Sequence, residues 1–277
     1  MLIGLTALIS AIKRVSNAAN PISRRKLDYG RVDTVNNWAA ALRLSFSKEH
    51  ECLYLFATTR EIFAFDKVDV ELEERDTEDF RVYIYPHHLL DPLASAVGKI
   101  TFYKYKSGAR LLLGKKQKLY LKTHHWCEGH FEGYTDVPPE QKGITIKINA
   151  LAFKHALSFV SHVATTGKSE KIKTKVVTIE NVDGQLCFGA SDGWRLASSK
   201  NVMPIDNPLK CVVFKSLLFP LNKMIESEDV PITLIFGKDT LYFKDGDFFA
   251  GVFLTAADLA STVLFIGQPF CCRANPV

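Results

Sequence analysis

A membrane-spanning run, a disulfide framework and a dominant charge are all missing from this sequence, and each absence narrows what the chain can do. No apolar run reaches the ~18 residues that a helix needs to cross a bilayer. The six cysteines, at 52, 127, 187, 211, 271 and 272, lack the dense, even spacing of a small secreted scaffold, so a reducing compartment is expected. Lysine and arginine number 35 against 30 aspartates and glutamates, an excess that permits an anionic partner without demanding one. How the charge is distributed therefore matters more than its total. Low complexity is absent too: 47% hydrophobic and 23% charged residues are globular proportions, enough to bury a core.

What the sequence does have is repetition. Its 277 residues suit two ordinary domains, and the composition breaks at Tyr134-Thr-Asp-Val-Pro-Pro-Glu-Gln-Lys-Gly143, where two prolines and polar neighbours interrupt regular structure. The expected organisation is a first domain over 1–137, a linker over 138–143, a second domain over 144–262 and a C-terminal tail over 263–277. Each half reads as a short strand, an amphipathic helix and hairpin-linked strands, then the same series again.

Leu5, Leu8, Ile9, Ile12 and Val15 recur at helical spacing, with Ser10, Arg14 and Asn17 on the other side. No basic residue precedes this stretch, so it is read as a helix and not as an export signal. A second helix is expected over roughly 87–97, with Leu89, Leu90, Leu93 and Val97 inward. Phe153, Ala156, Leu157, Val160, Val163 and Ala164 mark a third. Leu217, Leu218, Leu221, Met224 and Ile225 mark a fourth, which Pro220 bends or delays. Four βαβββ-like units predict an α+β fold: two tandem domains, each with two helices on one face of curved antiparallel sheets.

Basic residues on the exposed helix stripes would add into one positive surface: Arg14 with Lys13, then Lys154, then Lys215 and Lys223. Arg24 and Arg25 lie in the connection Asn20-Pro-Ile-Ser-Arg-Arg-Lys26, where consecutive cations suit phosphate oxygens. The alternative for each is an ordinary solvated side chain. The acidic stretch Asp66–Asp79 alternates like an exposed strand and is expected at an outer sheet edge. His124-His125-Trp126-Cys127-Glu128-Gly129-His130 concentrates possible zinc ligands, although the spacing matches no standard pair of pairs. Gly108–Lys116 is not a phosphate-binding loop, because one residue too many separates the glycines and Lys116 stands where Ser or Thr should hold magnesium.

The most informative segment is Ser191-Asp192-Gly193-Trp194-Arg195-Leu196-Ala197, where a strand enters an Asp-Gly turn and emerges with a large aromatic and an aliphatic residue. Read on its own, it is also what a plain hairpin with a buried Trp looks like. The segment resembles the Thr-Asp-Gly-His-Arg-Leu-Ala segment of the bacterial sliding clamp, the beta subunit of DNA polymerase III, with Ser191 in place of Thr and Trp194 in place of His. The helix over 150–164 and Cys211-Val-Val-Phe-Lys-Ser-Leu-Leu218 are similar to the same family's second domain. Val82-Tyr-Ile-Tyr-Pro-His-His-Leu-Leu-Asp91 and Lys118-Leu-Tyr-Leu-Lys-Thr123 resemble parts of its first domain.

The resemblance covers about residues 1–262 and implies the DNA clamp fold. Family members have three such domains, and this sequence has room for two. The resemblance further implies a homo-oligomeric ring that encircles duplex DNA and tethers a replicative polymerase, with a clamp loader as a further partner. It implies no catalysis, no cofactor, no metal and no membrane, and a place in the cytoplasm at the nucleoid. Gly193, Trp194, Arg195 and Leu196 inherit the family's peptide groove by position, while Arg14, Arg24, Arg25, Lys154 and Lys223 are the candidate DNA contacts. Family rings contain six domains, so a two-domain chain would close one with three copies. Two other readings stay open: a clamp-derived interaction protein of a phage or mobile element that does not encircle DNA, and a metal-dependent enzyme using the His124–His130 cluster.

Overall fold

A computed structural model describes residues 1–19, 40–59, 61–73, 78–106, 108–113, 117–132, 134, 141–164, 175–192, 194–200, 202–225 and 230–254, without the side chains of His125, Trp126, His130 and Phe219. The chain divides into two compact units. Residues 1–140 form the first, together with 223–225 and 244–251, and the remainder forms the second. Residues 138–140 of the expected linker and the 263–277 tail lie outside the described residues.

Two βαβββ series build the first unit. The first runs β1 (Leu2–Gly4), α1 (Leu5–Ser16), β2 (Leu42–Ser47), β3 (Cys52–Thr58) and β4 (Ile62–Glu71). The second runs β5 (Phe80–Ile84), α2 (Pro86–Leu93), β6 (Lys99–Tyr105), β7 (Gly108–Leu113) and β8 (Gln117–Lys122). The strands pair antiparallel in the order β8-β7-β6-β1-β4-β3-β2-β5. Leu8, Ala11, Ile12 and Val15 bury the apolar stripe of α1 against β3 and β4, as the helical spacing requires.

The second helix stops short of its expected end. Pro86 opens α2 at a position where a missing N–H costs nothing, but Pro92 deprives the last turn of a donor. Beyond Leu93 the chain tightens into i→i+3 bonds, from Ser95 N–H to the Pro92 carbonyl and from Ala96 N–H to the Leu93 carbonyl. It then leaves through Gly98 at φ 83°. Val97, expected inward, is 87% exposed.

The acidic stretch departs from its expected place as well. Instead of forming an outer edge, β4 is paired on both sides, with β3 and with β1. Asp66 is buried within it, its carboxylate 3.8 Å from Arg14 Nε. The alternation belongs to an interior strand whose charge meets a partner from α1. Nearby, Phe56 packs on Phe65 with ring centroids 4.2 Å apart. Arg43, 2% exposed, lays its guanidinium 4.7 Å over Phe56 and donates to the carbonyls of Phe131 and Tyr134 at 3.3 and 2.9 Å. A buried arginine thus ties the segment after β8 to the core, where its charge is hydrogen-bonded as burial demands.

The βαβββ series recurs twice along the rest of the chain. It runs β9 (Ile144–Asn149), α3 (Ala150–Ser161), β10 (Val176–Val182), β11 (Gln185–Ser191) and β12 (Leu196–Ser199). It then runs β13 (Lys210–Phe214), α4 (Lys215–Met224), β14 (Pro231–Phe236), β15 (Thr240–Asp245) and β16 (Phe248–Phe253). Asn149 caps α3, its side-chain oxygen accepting from Ala152 N–H at 3.0 Å. Phe153, Ala156, Leu157 and Val160 face inward; Phe153 meets Phe188 of β11 edge to face at 5.9 Å. One antiparallel sheet has the order β12-β11-β10-β13, and β9 pairs with β14. Asp183 and Gly184 join β10 to β11 in a tight turn, both at positive φ, 53° and 78°. The architecture is α+β, built from antiparallel sheets with few helices.

Candidate functional site

The turn between β11 and β12 is organised by one carboxylate. Asp192 Oδ1 accepts the backbone N–H groups of Trp194 and Arg195 at 2.9 and 2.7 Å, and Oδ2 receives Arg195 Nε and Nη2 at 2.9 and 2.8 Å. An Asp in this position substitutes its side chain for a backbone turn, which explains why the strand reverses here. The two backbone N–H groups, then the Arg195 side chain, hold the Asp192 carboxyl down at about 2. A depressed carboxylate adds order that is complete above its ordinary value and is lost only as pH falls through the depressed one. The Asp192 carboxyl should therefore titrate near 2 in an NMR pH series, and Arg195→Ala should raise that midpoint. A midpoint at the ordinary 3.8 would mean that the turn is not held this way.

The ordered turn leaves its side chains in solvent. Trp194 is 96% exposed, Arg195 is exposed and Leu196 is 37% exposed, whereas the next residue, Ala197, is buried. Trp194 is thus not the buried hairpin tryptophan that the segment alone would allow. Gly193 lies outside the described residues. At the far end of β12, about 10 Å along the strand, a shallow cleft opens between α3 and the chain following β12, lined by Ala152, His155, Phe159, Ser199, Lys200 and Val202. Leu151 and Phe159 on α3 are also exposed, at 36% and 55%. Apolar surface therefore occurs at both ends of β12, a composition suited to a short peptide with aromatic or aliphatic anchors.

The expected cations do not share one environment. Arg14 is corrected from the exposed stripe to a packed position: its side chain is 15% exposed, Nη2 lies 3.3 Å from the Asp245 carboxylate, and the guanidinium sits 4.2 Å over the Phe248 ring. The outward cation of α1 is its neighbour Lys13, in register with Thr6, Ser10 and Asn17 at helical spacing. Lys215 donates to the Ala164 carbonyl at 2.6 Å and so acts on its own backbone surroundings. Lys154 is half-buried on α3, and Lys223 is exposed on α4. Arg24 and Arg25 lie outside the described residues.

In the histidine cluster, His124 packs 4.5 Å from Tyr85 and 6.2 Å from His88, ring to ring. Burial, and then the neighbouring His88 charge, lower its pKa. Burial also pushes the Cys127 thiol up to about 12, away from the thiolate a metal would need. Among the described residues, no group of three or more His, Cys, Asp or Glu side chains could hold a metal ion. No helix among them is long and apolar enough to cross a membrane.

Comparison with solved structures agrees with this architecture. The chain is similar to the DNA polymerase III subunit beta of Pseudomonas aeruginosa, with a TM-score of 0.72 and 16% identity over 92% of this chain. It is equally similar to the beta subunit of Thermotoga maritima, with a TM-score of 0.73 and 14% identity over 91% of the chain. The Bacillus subtilis DNA polymerase sliding clamp matches with a TM-score of 0.72 and 13% identity over 92%. The chain spans 63–64% of the length of these three structures. At such identities the likeness establishes the fold, and it matches the family resemblance read from the sequence. No protein-family model and no curated protein sequence matches the chain.

Proposed function

We propose that this chain is a DNA sliding clamp, which encircles duplex DNA without sequence preference and tethers a replicative polymerase, performing no chemistry and needing no cofactor. The observation that carries the proposal is Trp194, a large aromatic held almost fully in solvent by a turn whose order comes from Asp192. Exposing a tryptophan to this extent forgoes its burial energy, and a partner that covers it recovers that energy. Trp194, Arg195 and Leu196, with Gly193, form the groove in this proposal, and the polymerase and clamp loader are its partners. Assembly is head to tail from three copies, and the site of action is the cytoplasm at the nucleoid. Lys13 takes the place of Arg14 among the DNA contacts, beside Arg24, Arg25, Lys154 and Lys223.

Duplex binding is expected to be weak, indifferent to sequence and lost as salt rises, because the contacts are made to phosphates. Reversing Arg24 and Arg25 to Glu should flatten the slope of log K against log salt by about 1.8 if both contact the duplex. An unchanged slope in a filter-binding titration would make both residues ordinary surface cations.

One feature favours a second proposal, in which a clamp-derived protein binds replication proteins without encircling DNA. The exposed stripe of α3 carries Leu151, His155 and Phe159, with Lys154 as the one lysine of that helix, so it offers apolar contact more than phosphate contact. The mass of the protein in solution, with and without circular duplex DNA, separates the two.

A further inference from the structure

The outer face of β6, β7 and β8 carries residues that the clamp proposal does not use. The antiparallel register sets Tyr103, Arg110 and Tyr120 side by side across the three strands, with Thr101, Leu112 and Lys118 as the adjoining row. Side chains alternate along a strand, so these residues lie opposite Phe102, Leu111 and Leu121, which are buried on the core side. Tyr105 closes on Tyr120 edge to face, with centroids 5.2 Å apart. The Arg110 guanidinium lies 3.9 Å from the Tyr105 centroid and 4.1 Å from the Tyr120 centroid. It donates to the Tyr103 hydroxyl at 3.0 Å and also to the Tyr120 hydroxyl. These contacts fix the positions of the rings.

Tyr120 is nevertheless 55% exposed. Lys106, Lys118 and Lys122 border the cluster, all exposed, and none of the three has an ion-pair partner among the described residues. A cross-strand ladder that stiffens the sheet accounts for Arg110 and Tyr105. It does not account for an exposed, pre-positioned ring with lysines grouped around it. That combination suits a base stacking on the ring while its flanking phosphates meet the lysines. A duplex offers no unstacked base to such a ring, whereas a single strand does.

We infer that this face binds single-stranded nucleic acid, without marked sequence preference, through stacking on Tyr120 and phosphate contacts from Lys118 and Lys122. The inference does not rest on the clamp proposal. It is tested by fluorescence anisotropy on the full chain with labelled oligothymidylate and oligouridylate, each about 20 nucleotides long, and with a duplex of equal length. At low salt one or both single strands should bind, the tighter one identifying DNA or RNA as the source. Tyr120→Ala should weaken that binding about tenfold or more, Tyr120→Phe should largely keep it, and neither should change duplex binding. Lys118→Ala with Lys122→Ala should flatten the salt slope for a single strand by about 1.4. The inference is overturned if neither single strand binds at low salt, or if binding is the same in Tyr120→Ala and in the double lysine variant.

Discussion

Replacing Trp194 with Ala should weaken binding of a polymerase-derived clamp-binding peptide by about thirtyfold or more, because truncating an aromatic anchor at the centre of an interface costs about 2 kcal/mol or more. The same substitution should leave the urea midpoint almost unchanged. Trp194 is 96% exposed, so its ring contributes little burial to the fold, and surface changes away from packed features stay within about 0.5 kcal/mol. The pair of results matters more than either alone. Affinity lost with stability intact assigns the ring to a partner. Peptide binding that survives at full strength, measured by calorimetry, would remove Trp194 from the groove and leave its display without a role. Asp192→Ala should act in the same direction by releasing the N–H groups of Trp194 and Arg195, which would loosen the ring without removing it.

Phe153→Ala is the change expected to cost most in stability. Its ring is fully buried, meets Phe188 edge to face and anchors α3 on β11, the strand that leads into the Asp192 turn. Large-to-small substitutions of this kind cost about 3–5 kcal/mol, through lost transfer energy and the cavity left behind. Against a typical domain stability of about 5–15 kcal/mol, that is enough to loosen the second unit and to reduce peptide binding with it. Phe159→Ala on the same helix removes a ring of equal size that is 55% exposed, and should shift the urea midpoint little. Equal losses from the two variants would contradict the inward and outward assignment of α3.

Much of the fold was legible because it rests on local periodicity. The stripes of α1, α3 and α4 recur at 3.6-residue spacing, and the Asp183-Gly184 and Asp245-Gly246 turns announce their hairpins, so the repeated βαβββ series could be read without any tertiary information. What escaped depends on groups distant in sequence. The acidic alternation around Asp66 looks like an edge strand until Arg14 is seen beside it, and nothing local announces that contact. The choice between Lys13 and Arg14 is a rotation of about 100° around one helix, finer than an apolar stripe can settle when both neighbours are basic. Pro92 did carry the signal that ends α2, but the leucines around it continue the helical spacing and pointed further. Trp194 supported two opposite readings, core or display, and only its exposure separates them. The Tyr103–Arg110–Tyr120 row was invisible because strand register, and not sequence order, brings those three together.

The central claim, that the chain closes into a ring around DNA, is tested most directly by its mass in solution. Among the described residues β8 and β12 each end a sheet, and sheet edges pair with another chain or aggregate unless covered. A six-domain ring assembled head to tail from two-unit chains takes three copies. Light scattering at micromolar concentration should therefore give three times the 31.1 kDa chain mass, alone or on addition of circular duplex DNA. A mass of one chain, unchanged when circular duplex is added, would contradict the ring and leave the interaction protein as the function of this fold.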